Sequence, residues 1–163
     1  MACGPAAGDD HILGTIEANV DGEQRTFYAV VAPELGPLAT FRDFVLPGSL
    51  QFAVFGLRDP EDLSLGDILS LQFIERKSAG GPQIFESQGT GYQPQRDPPF
   101  PQYLDELYET DLTVEIFDPR EDVVRVRLRF ESQLTGYSES GTSDPDAPKL
   151  EISGVLDAMF QRQ

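Results

Sequence analysis

The chain has 163 residues, with 12 Lys+Arg against 28 Asp+Glu and a formal net charge of -16. That length suits one domain with a real core, and the acidic balance excludes simple binding to nucleic-acid backbone, which depends on Lys and Arg neutralising phosphates. No apolar run approaches the ~18 residues of a spanning helix, and the single Cys, Cys3, leaves no intrachain disulfide and no Cys/His cluster for zinc.

Residues 1–11, MACGPAAGDDH, are small or polar with no apolar periodicity, which predicts a flexible tether ahead of a single domain over 12–163. From Ile12 short segments of alternating or continuous apolar character are punctuated by Gly, Pro and Asp, and 15 Gly with 13 Pro are too many for a helix bundle. The pattern predicts an all-β fold, an antiparallel β-sandwich or partly open barrel of about eight to nine strands with at most one or two short helical turns.

The first unit is a hairpin. Ile16, Ala18 and Val20 share one parity, Asp21-Gly22 supplies the turn, and pairing Val20 with either Glu23 or Arg25 keeps Phe27 and Ala29 on the same inward face. Further strands are predicted over 38–46, 50–57, 68–75 and 83–87. The 50–57 segment is apolar on both parities and reads as covered on both faces. Gly89-Thr90-Gly91 lacks a dinucleotide fingerprint and reads as a turn, and four prolines make 91–101 a loop. Leu104, Leu107 and Tyr108 have the spacing of a short helical turn over 102–110.

The clearest alternation is DLTVEIF-DPRED-VVRVRLRF over 111–130. With 118–122 as the turn and Phe117 facing Val123, Leu112, Val114 and Ile116 meet Leu128, Val126 and Val124. On the other face Glu115 lies opposite Arg125, Thr113 opposite Arg127 and Asp111 opposite Arg129. A loop over 139–148 leads into a final strand antiparallel to 124–137, with Gly154 marking a bulge or a close backbone approach.

The stretches GTIEANVDGEQRTF, RVRLRFESQLTGY and KLEISGVLDAMF resemble the small β-domains of bacterial lipoproteins. Those begin after a lipidated Cys and a polar tether, and close on a hydrophobic-x-Gly-x-hydrophobic-x-Ala-x-Phe pattern. The likeness covers both ends of the chain and leaves the middle unmatched. It implies an exported protein of the bacterial cell envelope, periplasmic or anchored at the outer membrane, with Cys3 as the lipidation site and membrane partner. Ala2-Cys3 would then end a lipobox, with Met1 in place of a removed signal peptide. Two or more acyl chains on one Cys hold a protein stably, and residues 4–11 supply reach. The alternative is a cytoplasmic protein with an incidental Cys.

The side chains that carry chemistry are few. Arg125, Arg127 and Arg129 form the one cationic stripe, able to dock an anion or an acidic partner, or to serve as the neutralised outer side of a strand. Asp118, Glu121 and Asp122 are weak calcium candidates, since Arg120 sits among them and no EF-hand spacing is present. No other cofactor is expected. His11, the one His, lies in the tether, where neither a Ser-His-Asp triad nor a Cys3–His11 pair is well placed. No carboxylate pair stands out for hydrolase chemistry. The expectation is therefore a non-enzymatic, lipid-anchored domain acting as a binding or structural module. A soluble carrier with an apolar ligand among Phe41, Phe44, Phe52, Phe55 and Phe73 is the first alternative, and an acidic-residue hydrolase the second.

Overall fold

A computed structural model describes residues 11–45, 48–61, 67–77, 81, 83–94, 102–105, 109–137 and 149–163. Cys3 and the rest of 1–10 lie outside the described residues. Strands make up 79% of what is described, with no helix, so the chain is all-β. They are β1 (Ile12–Val20), β2 (Glu23–Ala32), β3 (Gly36–Pro37), β4 (Ala39–Asp43), β5 (Leu50–Leu57) and β6 (Ile68–Lys77), then β7 (Gln83–Gln93), β8 (Gln102–Leu104), β9 (Asp111–Arg120), β10 (Val123–Tyr137) and β11 (Leu150–Arg162). The eleven exceed the expected eight to nine by β3 and β8, two or three residues each, too short to show a periodicity.

Hydrogen bonding runs round the sheet as a ring. β1 pairs with β2 and β11, β11 with β10, and β5, β6 and β7 follow one another antiparallel. At one end the ring closes through the single β2–β5 pair Tyr28↔Leu57; at the other, β4 lies between β5 and β11, parallel to β11. On the opposite side β8 joins β7 to β10. Past β8, no ladder joins β7 to β9 among the described residues, and this unpaired seam makes the barrel partly open.

The first hairpin takes the tighter of its two readings. Val20 faces Glu23, and Asp21 and Gly22 adopt φ of 51° and 92°, as a two-residue primed turn requires. Ile16, Ala18, Phe27 and Ala29 are fully buried. Gly154 marks a close approach and not a bulge, because both its ladders run through unshifted. A Cβ there would collide with the Glu17 carbonyl oxygen and lie 2.8 Å from Ala18 Cα.

Four expectations need correction. β9 and β10 pair as Val123↔Arg120 and Arg125↔Asp118, around a two-residue turn at Glu121-Asp122 and not a five-residue one. The register then shifts at Glu115, so that Leu128 faces Val114 and Glu131 faces Asp111. This bulge exchanges the faces of β9: Leu112, Val114 and Phe117 pack on the core, where Ile116 had been expected. Secondly, 102–104 forms β8 and not a helical turn, because pairing with β7 and β10 satisfies more backbone groups than one helical turn can; Leu107 and Tyr108 lie outside the described residues. Thirdly, Gly89-Thr90-Gly91 is part of β7; a bulge skips Gln88 alone, and Gly89, at φ 150°, pairs with Gln72. Fourthly, β5 is not covered on both faces along its length: Phe52 and Val54 are sealed, whereas on the other parity Phe55 is 41% exposed and only Leu57, at the join to β2, is buried.

Inside the barrel the phenylalanines meet one another. Phe52 stacks on Phe73 at 4.9 Å and on Phe41 at 5.8 Å, and Phe160 sets its edge against Phe52 at 5.2 Å. Phe117 continues the cluster from Phe52 to Phe85, so rings from β7 and β9 touch across the seam at 5.3 Å although their backbones do not pair.

Candidate functional site

Because Val124, Val126, Leu128 and Phe130 occupy the inward parity of β10, Arg125, Arg127 and Arg129 stand on its outer face. Their partners differ from the expected ones. Arg125 donates from Nε and Nη2 to Asp157 Oδ1 and Oδ2 at 3.2 and 3.0 Å, and Arg127 Nη1 donates to the same Oδ2 at 3.3 Å. Glu115 takes Arg129 Nε at 3.2 Å and lies 3.5 Å from Arg127 Nε. The order across the wall is Arg125, Asp157, Arg127, Glu115, Arg129, with neither a Glu115–Arg125 pair nor an Asp111–Arg129 pair. Asp157 sits opposite Arg127 on β11, and the Arg125 hydrogen bonds hold its carboxyl below its ordinary 3.8 against the opposing pull of partial burial. Each guanidinium of the stripe therefore already has a carboxylate.

The calcium candidates are divided between cations. Asp118 bonds Arg120 at 3.3 Å and Asp122 lies 3.6 Å from Arg162, while Glu121 occupies the turn. Among the described residues no group of three or more His, Cys, Asp or Glu is arranged round a common point for a metal ion. His11 rests with Nε2 3.1 Å from the Pro60 carbonyl oxygen and 3.6 Å from Glu61.

Two polar clusters escaped the sequence reading. In the first, the Tyr92 hydroxyl donates to Asp67 Oδ1 at 2.6 Å and receives Arg25 Nη1, with Arg58 Nε 3.6 Å from Asp67. Asp67 holds φ at 103°, costly for a residue other than Gly, and its amide donates to the Gln93 carbonyl at 2.9 Å. Burial, then the Asp67 hydrogen bond, push the Tyr92 phenol well above its ordinary 10, so it stays protonated. This cluster ties β2 to β7 beside the one-pair β2–β5 join. Its only sequence signal was a tyrosine inside a proline-rich stretch.

In the second cluster Thr110 Oγ1 lies 2.7 Å from Thr90 Oγ1, 2.7 Å from Asp105 Oδ2 and 2.9 Å from Ser132 Oγ. Asp105 also accepts the amides of Glu109 and Thr110 at 3.1 and 2.9 Å. The start of β9 is thereby fastened to β7 and β10, leaving the seam to open beyond it.

Along the seam runs a groove of about 810 Å³, with Ile74, Phe85 and Leu112 among its apolar lining and Glu86, Gln88 and Asp111 among its polar lining. At Asp111 it meets a polar depression of about 700 Å³ that includes Glu109, Glu131, Glu151 and Lys149. Compared with known protein families, curated proteins and solved structures, the chain matches none of them.

Proposed function

We propose that this chain is a non-enzymatic binding or structural domain of the bacterial cell envelope, tethered through a lipidated Cys3 and acting through the outside of its barrel. The observation that carries this reading is the aromatic interior. Phe41, Phe52, Phe73 and Phe160 fill, with their own stacked and edge-on rings, the volume a carrier would keep for its ligand. The buried titratable groups of the described residues are committed as well: Tyr92 to Asp67 and Arg25, Asp105 to Thr110 and two amides, and Glu75 to the Gln83 side-chain amide and Lys77. The lipoprotein-like ends support the envelope, and the polar residues 4–11 give an anchored domain its reach.

Two measurements test it. A fluorescent fatty acid titrated against the domain should show no saturable uptake; stoichiometric binding that Phe52→Trp abolishes would place the ligand inside and favour a carrier. The full gene product grown with labelled palmitate should take up label and lose it in Cys3→Ser. A product that never acquires lipid rejects the anchor.

A further inference from the structure

Resting on the reading of a binding module, we infer that the β7–β9 seam is its docking site and that the partner is an extended polypeptide strand, apolar at alternate positions and basic at the positions that reach Asp111. Three observations converge there. Among the described residues β7 over Gln83–Gln88 pairs only with β6, and β9 only with β10, so each presents a row of backbone donors and acceptors to the gap. Phe85 and Leu112, both packed on the core, give the inner side of the groove an apolar lining, and alternate side chains of an added strand point to that side while the others face water. The rings of Phe85 and Phe117 span the gap edge-on, where a directly bonded neighbour would bring the backbones to the ~4.8 Å of a ladder.

Charge selects the partner. Asp111 faces Glu131 directly across the β9–β10 ladder, a like-charge pair that costs stability unless something offsets it. Glu109 and Glu151 border the same depression, with Lys149 as the one cation in its lining. Among the described residues none of these four carboxylates makes an ion pair, whereas the carboxylates beneath the arginine stripe all do. A second copy of this chain would bring its own net charge of -16 to an already acidic mouth, so self-pairing is disfavoured.

The experiment is an amide NMR titration of the domain with a soluble peptide of alternating Lys and Val, at low salt and at half-molar salt. The expected result is saturable binding that persists in part at high salt, with slowed amide exchange confined to Gln83–Gln88 and 111–117. The same peptide N-methylated at alternate residues keeps its charges and side chains but loses one row of donors, and should bind at least tenfold more weakly. Asp111→Lys, on an exposed side chain, should weaken the unmethylated peptide at low salt by a similar factor and leave the spectrum of the free domain otherwise intact. Equal affinity for the methylated peptide, shifts centred on Arg125–Arg129, concentration-dependent dimerisation through the seam, or no binding would each overturn the inference. None of these would bear on the fatty-acid and palmitate tests, which decide the binding-module reading separately.

Discussion

At the scale of single residues, Asp157 shows how an acidic chain keeps a cationic stripe. Its two oxygens hold Arg125 and Arg127 together on the outer wall. A double-mutant cycle should therefore find coupling between Arg125 and Asp157 that shrinks as salt is added, and none between Arg125 and Glu115. Coupling to Glu115 instead would restore the simpler register read from alternation. The pH dependence has a definite sign. Asp157 has a folded pKa below its unfolded value near 3.8, so its contribution is complete above that value and is lost as the pH falls from there through the folded pKa. Asp157→Asn should lose less stability than the parent chain between pH 5 and pH 2 in denaturant melts. Parallel losses would mean that the carboxyl is not held by its arginines.

At the scale of elements, legibility followed how much each alternation was constrained. β1 and β2 could be read because Asp21-Gly22 admits only a tight turn and both candidate registers bury the same side chains. β9 and β10 could not, because two errors compensate: a bulge at Glu115 preserves the apolar look of the strand while exchanging its faces. Pro119 also made 118–122 look like a loop. It is instead paired with Val124 inside β9, which a strand with one unpaired edge tolerates. Tyr92, Asp67 and Arg25 were invisible as a group because they are brought together by ring closure, not by spacing. Close packing of backbones gives a sharper test. Gly154→Ala drives a methyl group into the β1 backbone at Glu17 and Ala18, and should cost about 1–3 kcal/mol or more in thermal or chemical denaturation. A neutral result would mean that β1 and β11 lie farther apart than described.

At the scale of the molecule, the fold is a barrel wall closed by the β2–β5 join and by β4, filled with phenylalanine, and unpaired along β7 and β9. The all-β class was legible in the punctuation by Gly and Pro; the closure was not, since the single pair Tyr28↔Leu57 leaves no trace in periodicity. Phe52 lies at the centre of the filling, in ring contact with Phe41, Phe73, Phe117 and Phe160. Phe52→Ala should cost about 3–5 kcal/mol, measured as a shift in denaturation midpoint. A loss below about 1 kcal/mol would indicate an interior with room to spare. The arrangement of wall and seam as a whole is tested most directly by residue-resolved amide hydrogen exchange on the free domain. Amides paired into β6 from β7, into β10 from β9, and across β1, β2, β5 and β11 should be slow, while alternate amides of Gln83–Gln88 and 111–117 that face the seam exchange orders of magnitude faster. Uniform protection along β7 and β9 would mean that the ring is zipped shut, and would contradict the account.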